Sequence, residues 1–272
     1  MGWWLDALYN TTVIYRDEII ELFRRAASDR EQGAAEIEVA LIRALLAHRT
    51  GLRSESLCEG ARVLAEGQPV MANLRTLAAA AQRTEIPGSF KTWLVQRFEV
   101  LNELPKRLSE NAWPHIEKFA TVVTISRSSA VAAALEGAWE RGWDGSVVVL
   151  DGMAPGAGAD QARRLKVFGR AISCPDTDAL VWLDVAAAVV LVGADAVGGR
   201  RFVNAAGTRQ LLELSRHRKV NTVLVADTGK NVGEEMVDEM IHRSPPHRES
   251  PDREWPIFEA VPLELVTARV TE

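Results

Sequence analysis

The sequence predicts an α/β protein in which a helical N-terminal part precedes a domain built on a parallel sheet. Three observations carry that prediction. Before Pro114 the apolar residues recur at helical spacing and no run looks like a strand. From Phe119 onward, short runs rich in valine alternate with helical stretches. These runs are almost continuously apolar, as strands are when both faces of a parallel sheet are covered. One of them, Val189-Val190-Leu191-Val192, runs straight into Gly193-Ala194-Asp195. A carboxylate in a small-residue turn at the carboxyl end of such a strand is where open α/β sheets place ligand chemistry.

The helices come first. Ile19, Leu22, Phe23 and Ala26 share one face at i, i+3, i+4 and i+7. After Gly33, the residues Ile37, Leu41, Ala44 and Leu45 mark a second helix. Ser54 or Ser56 is placed to cap a third, carrying Leu57, Ala61 and Leu64. A fourth is expected to start near Pro69 with Leu74, Leu77 and Ala81. Ser89 is placed to cap a fifth, with Phe90, Trp93, Leu94, Phe98 and Leu101 facing the core. Trp3 and Trp4 suit the packing of an N-terminal segment. The expected division is residues 1–115 for the helical domain and 116–272 for the sheet domain.

In the second part, Val122-Val123-Thr124 precedes a helix expected over 129–141. Val147 to Leu150 precedes a helix expected over 160–168, with Gly156-Ala157-Gly158 between them as a flexible turn. That turn lacks the GxGxxG pattern of a dinucleotide site. Val189 to Val192 precedes a helix expected over 205–218, opened by Asn204 to Thr208. Thr222 to Val225 follows as another strand. Residues 171–188 fit neither element cleanly. Residues 229–254 are polar and hold Pro245, Pro246 and Pro251, which suits a long loop with one short helix.

Composition narrows the function. The 272 residues are 47% hydrophobic and 25% charged, and the net charge is −5. Those are ordinary values for a globular protein, with no basic field that would make nucleic acid a direct partner. No run approaches the roughly 20 apolar residues needed to cross a bilayer, and MGWWLDALYN has no basic leader that would make it a signal peptide. The two cysteines, Cys58 and Cys174, form no disulfide framework. A cytoplasmic setting is therefore expected. The five histidines show no metal-ligand spacing, so neither a metal nor a cofactor is expected.

Three strand ends carry candidate chemistry. In Thr124-Ile125-Ser126-Arg127-Ser128-Ser129, hydroxyls and free N–H groups open a helix. They suit a phosphate, although Ser128 or Ser129 could equally be an ordinary cap. Asp195 could be a general base, or a structural carboxylate that accepts N–H groups of its turn. Lys230, in Asp227-Thr228-Gly229-Lys230, could reach an anion, but on a short surface turn pairing with Asp227 is favoured.

These stretches resemble the homologues of the α, β and δ subunits of eukaryotic initiation factor 2B. That family includes isomerases of methylthioribose 1-phosphate and ribose 1,5-bisphosphate. The resemblance rests on Val189 to Thr208, which is similar to the family's Val-Gly-Ala-Asp-Ala-Val and Asn-Lys-x-Gly-Thr pair. Pro256 to Glu259, Pro262 and Glu264 to Thr267 resemble its closing motif. Gly33 to Ile37 and Gln68 to Leu74 add weaker matches. The resemblance implies a helical domain followed by a Rossmann-like domain, and dimerisation through the latter.

It also implies a ligand site at Ser126, Arg127, Ser128, Ser129, Asp195, Asn204, Gly207, Thr208 and Lys230. The isomerases of the family work with a cysteine and an aspartate. Asp195 matches the aspartate, but Ser126 stands at the cysteine position and Ile125 where a histidine precedes it. A hydroxyl is a far poorer acid than a thiol of pKa about 8.5. Gln32, Gln68, Met153 and Ala205 stand where the family carries cations. The expectation is a homodimer whose isomerase machinery has been dismantled. It would bind a partner protein or a phosphorylated small molecule. If it is an enzyme instead, Asp195 and Ser126 are its catalytic pair.

Overall fold

The computed structural model describes residues 18–30, 32–48, 52–83 and 87–272. Trp3 and Trp4 lie outside them. The chain forms two compact units, one ending at Asn102 and the other spanning Glu103–Glu272.

The first unit is helical, as expected. Helix α1 covers residues 18–28, followed by α2 (Ala34–Ala47), α3 (Ser54–Gly67), α4 (Ala72–Gln82) and α5 (Pro87–Ala112), which runs on into the second unit. Phe23, Ile42, Leu57, Leu64, Leu74, Leu77 and Leu94 are fully buried, so the apolar spacing read from the sequence is the packed face. The third helix starts at Ser54 with no side-chain cap, and the fourth starts at Ala72, after the turn that holds Pro69. Gly60 lies against Phe23, where a Cβ would come within 2.3 Å of the ring.

Gln68 is buried and donates through Nε2 to the carbonyls of Ala26 (3.0 Å) and Asp29 (2.7 Å). It thereby satisfies acceptors that the end of α1 leaves open. A buried ion pair joins α2 to α5. Both Glu38 oxygens accept from Arg97, at 2.7 and 3.0 Å, and Asn73 Nδ2 adds a bond at 2.8 Å.

The second unit holds a six-stranded sheet in the order β11-β7-β4-β1-β2-β3. Its strands are β1 (Thr121–Ile125), β2 (Ser146–Leu150), β3 (Arg170–Cys174), β4 (Ala188–Val192), β7 (Asn221–Val225) and β11 (Ala268–Val270). Every pairing in it is parallel. Every residue of β1 and β4 is buried, which explains why neither carries a charged side chain. Helices α6 (Ser129–Glu140), α7 (Ala157–Leu165), α8 (Ala179–Leu183) and α9 (Thr208–Arg218) connect the strands. A small antiparallel sheet, β10-β6-β5, joins β5 (Ala196–Val197), β6 (Arg201–Ala205) and β10 (Phe258–Pro262). The parallel sheet with covering helices is the Rossmann-like architecture expected.

Several local expectations need correction. Asn204 and Ala205 are not helical. They end β6, because the apolar run Phe202-Val203 pairs with Ala260 and Val261 of β10. Helix α7 begins at Ala157, not at Asp160, and Gly158 is a packing residue rather than a flexible one. A Cβ there would lie 2.6 Å from the Leu150 carbonyl oxygen. Residues 229–254 are more ordered than a loop with one helix. They form α10 (Glu234–Arg243), then β8 (His247–Ser250), which pairs with β9 (Arg253–Trp255).

The Glu38–Arg97 pair gives a test of the helical unit. Arg97→Met strands a buried carboxylate and is expected to lower stability by about 3–5 kcal/mol in urea unfolding. Adding Glu38→Met should recover most of that loss.

Candidate functional site

The strand order reverses between β1 and β4, which pair directly through Thr121–Val123 and Ala188–Val190. The crevice beyond the carboxyl ends of two such strands is the binding position of doubly wound sheets. The turns leaving those ends are Ser126-Arg127-Ser128 and Gly193-Ala194-Asp195, so two of the three strand ends singled out in the sequence meet there.

Ser126 is buried and adopts φ = 59°, the left-handed region that residues other than glycine seldom enter. Its N–H donates to Leu150 O at 2.9 Å, which fixes the turn to the end of β2. Strain of this kind clusters at functional sites. Ser128 caps α6, accepting from Val131 N at 3.3 Å, and Ser129 is the first residue of that helix. Gly193 lies beneath Ser128, where a Cβ would come within 2.2 Å of its Oγ. Only glycine lets the two turns approach this closely. Arg127 faces Asp160 at 3.7 Å, while its Nε is buried without a hydrogen-bond partner.

Asp195 is partly buried in the turn between β4 and β5, and its N–H donates to Val203 O at 2.8 Å. Burial pushes its carboxyl up to about 6, with Lys230 acting in the opposite sense. The expected pairing of Lys230 with Asp227 does not form. Lys230 is buried, and its ammonium donates to the Ala194 carbonyl at 2.5 Å. The short turn Thr228–Lys230 folds the side chain inward, so the lysine reaches the neighbouring strand end rather than solvent.

Asn204, Gly207 and Thr208 lie at the start of α9. Asn204 Nδ2 donates to Thr208 Oγ1 (3.0 Å), which donates to Ala205 O (2.6 Å). Gly207 takes φ = 101°. The N–H groups that open α9 form the anion cradle that a helix N-terminus offers. That cradle is occupied from within. Glu259, on β10, accepts from Arg209 N at 2.9 Å. Burial raises the Glu259 carboxyl, and the nearby backbone N–H groups of Arg209, Gly207 and Thr208 oppose the shift.

The carboxyl ends of β2 and β3 add groups that sequence reasoning missed. Asp176 accepts from Gly152 N at 2.9 Å. It is pushed up by burial and, less strongly, by nearby Asp151. Cys174 is raised to about 11, mainly by burial and also by Asp178, so it stays a thiol. Asp151 was within reach of the same rule that found Asp195, since it directly follows Val147 to Leu150. Asp176 lies in the stretch that fitted neither helix nor strand. Among the described residues no group of three or more His, Cys, Asp or Glu side chains could hold a metal ion. No helix among them is long and apolar enough to cross a membrane.

Fold and site together define a doubly wound α/β protein with polar groups converging on its switch point. The chain belongs to the initiation factor 2 subunit family, whose model matches residues 30–272. No curated protein matches the chain. Among solved structures, it is similar to a translation initiation factor eIF-2B of Pyrococcus horikoshii, with a TM-score of 0.79 at 20% identity over 93% of this chain and 94% of that one. It is similar to a chain of the tetrameric eIF2B beta2-delta2 complex of C. thermophilum, with a TM-score of 0.72 at 17% identity over 93% and 90%. It is also similar to a 5-methylthioribose 1-phosphate isomerase of Pyrococcus horikoshii, with a TM-score of 0.64 at 15% identity over 93% and 83%. At these identities the likenesses establish the fold.

Two measurements check the site. Asp195 has a folded pKa of about 6, above an unfolded value of about 3.9. The stability it contributes is complete below pH ~3.9 and is lost as pH rises through ~6, on the order of 2–3 kcal/mol. Urea unfolding across that window should show this fall in the wild type and its absence in Asp195→Asn. Separately, Ser126→Gly should raise stability by about 0.5–1 kcal/mol by relieving the left-handed backbone, whereas Ser126→Ala should not.

Proposed function

We propose that this chain is a non-catalytic member of its family that acts as a homodimer and binds a partner protein. The observation that carries this reading is Glu259. Its carboxylate accepts from Arg209 N in the first turn of α9, the place where a helix N-terminus would hold a phosphate. Three cations of the second unit support the same reading. Arg127 faces Asp160, Lys230 donates to Ala194 O, and Arg201 is held by Glu234 (2.6 Å) and Asp238 (2.8 Å). A phosphate site needs such groups turned toward the ligand. The assembly named for the C. thermophilum relative, a tetramer of two kinds of subunit, supports a protein as the partner.

One observation favours a second reading, a sugar-phosphate isomerase using Asp195. A carboxyl with a pKa of about 6 exchanges protons near neutrality, as a general base must. The likeness to a 5-methylthioribose 1-phosphate isomerase agrees with it. Ser126 is its weak point, since a serine hydroxyl replaces a far stronger acid.

Thermal unfolding with methylthioribose 1-phosphate separates the two readings. A ligand at about 100 times its Kd stabilises the fold by roughly 2.7 kcal/mol. The wild type should show no shift and no turnover. Glu259→Ala, with the cradle emptied, should gain a shift with inorganic phosphate. A wild-type shift accompanied by turnover that Asp195→Asn abolishes would establish the isomerase instead.

A further inference from the structure

We infer that the segment Gly152–Gly156 is a hinged flap that seals the crevice at the end of β1, and that Trp255 is its latch. The segment runs from the end of β2 to the start of α7 with no helix or strand of its own. Its two end glycines take φ = 68° and φ = 80°, the left-handed region that glycine enters without a steric penalty. Met153, Ala154 and Pro155 bridge these two pivots. Hinges form at such element ends, where a few residues absorb the change in backbone angle. The flap governs access whichever ligand the crevice takes.

Packing shows what the flap covers. Ile125 is 2% exposed and Ser126 7%, although both lie where a doubly wound sheet opens its crevice. Gly152 rests on them. A Cβ there would lie 3.2 Å from Ser126 Cβ and 3.4 Å from Ile125 Cγ1. The start of α9 closes the opposite side. A Cβ on Gly207 would lie 3.0 Å from Ile125 Cδ1 and 3.1 Å from Asp176 Oδ2. Lifting Gly152 uncovers Ser126.

Three hydrogen bonds hold the flap shut. Gly152 N donates to Asp176 Oδ1 at 2.9 Å, and Met153 N donates to Ala206 O at 3.2 Å. Trp255 Nε1 donates to Met153 O at 2.7 Å. The partners come from three other parts of the chain: just after β3, just before α9, and β9. Met153 and Pro155 face solvent, so little apolar burial adds to these bonds. Segments held mainly by exposed hydrogen bonds are the ones that open locally while the fold stays intact.

Trp255 is the outermost of the three anchors. Its ring is flanked by His247 at 4.8 Å and by the Arg253 guanidinium at 5.4 Å. Arg248 and Glu254 tie the two strands of its hairpin at 2.7 Å. The hairpin thus orients the indole toward Met153 O. Residues 248–254 are all exposed, so anything that moves the hairpin from outside moves the latch.

Amide exchange and thiol labelling test the flap. Trp255→Phe keeps the ring and removes only the donor. It should speed exchange of the Gly152 and Met153 amides by about 5- to 10-fold, the effect of one lost hydrogen bond, and leave Val148 and Val190 unchanged. In a Cys58→Ser, Cys174→Ser background, Ser126→Cys places a thiol beneath Gly152. Iodoacetamide should label it far more slowly than in the urea-unfolded chain, and Trp255→Phe should raise that rate by the same factor as the exchange. If Trp255→Phe fails to fold, Asp176→Ala applies the same test at the other anchor, through the Gly152 amide. Labelling of the folded Ser126→Cys protein as fast as in urea would overturn the seal. Unchanged exchange and labelling in a folded Trp255→Phe protein would overturn the latch. An equal rise at Val148 and Val190 would mean global unfolding and would overturn the flap.

Discussion

The direct pairing of β1 with β4 is the constraint on which the rest of the second unit depends. Because these two strands run side by side, the chain must leave them in opposite lateral directions, and their carboxyl ends open a crevice. Gly193 lets the two turns touch, and Ser126 takes a strained backbone to keep its N–H on Leu150. The strands themselves are buried throughout and carry no ionisable side chain, so charged chemistry can appear only where they end. Position in the sheet thus decides which residues can act, before their chemical type does.

Asp176, Asp195 and Glu259 all have raised pKa values, and in each case burial is the largest cause. Nearby partners oppose the shift without reversing it. A site of this character disfavours additional negative charge. The Glu259 carboxylate at the start of α9 belongs to the same buried environment.

Much of this was legible in the sequence. Val122-Val123-Thr124, Val147 to Leu150, Val189 to Val192 and Thr222 to Val225 all proved to be strands, because a doubly covered strand leaves an unbroken apolar run. Ser126, Arg127, Ser128 and Asp195 meet because strand ends can be located from those runs. What could not be read depended on long-range pairing. Phe202-Val203 is a strand because β10, more than fifty residues on, lies beside it. Thr267 closes β11 onto the sheet through reciprocal bonds with Thr222, two threonines with nothing local to link them. Arg170 to Cys174 escaped the strand pattern because an edge strand is only half covered, and its exposed positions carry no apolar alternation.

Glu259 can also be viewed as a ligand on a tether. Strand β10 holds it beside α9 through five residue pairs with β6, so its supply never varies. A short tether gives an effective concentration of order millimolar or above, and a rigid strand places the group without the search that a flexible linker requires. Free phosphate compounds must compete with a group that never diffuses away. A phosphate compound can enter this cradle only by displacing Glu259 from it.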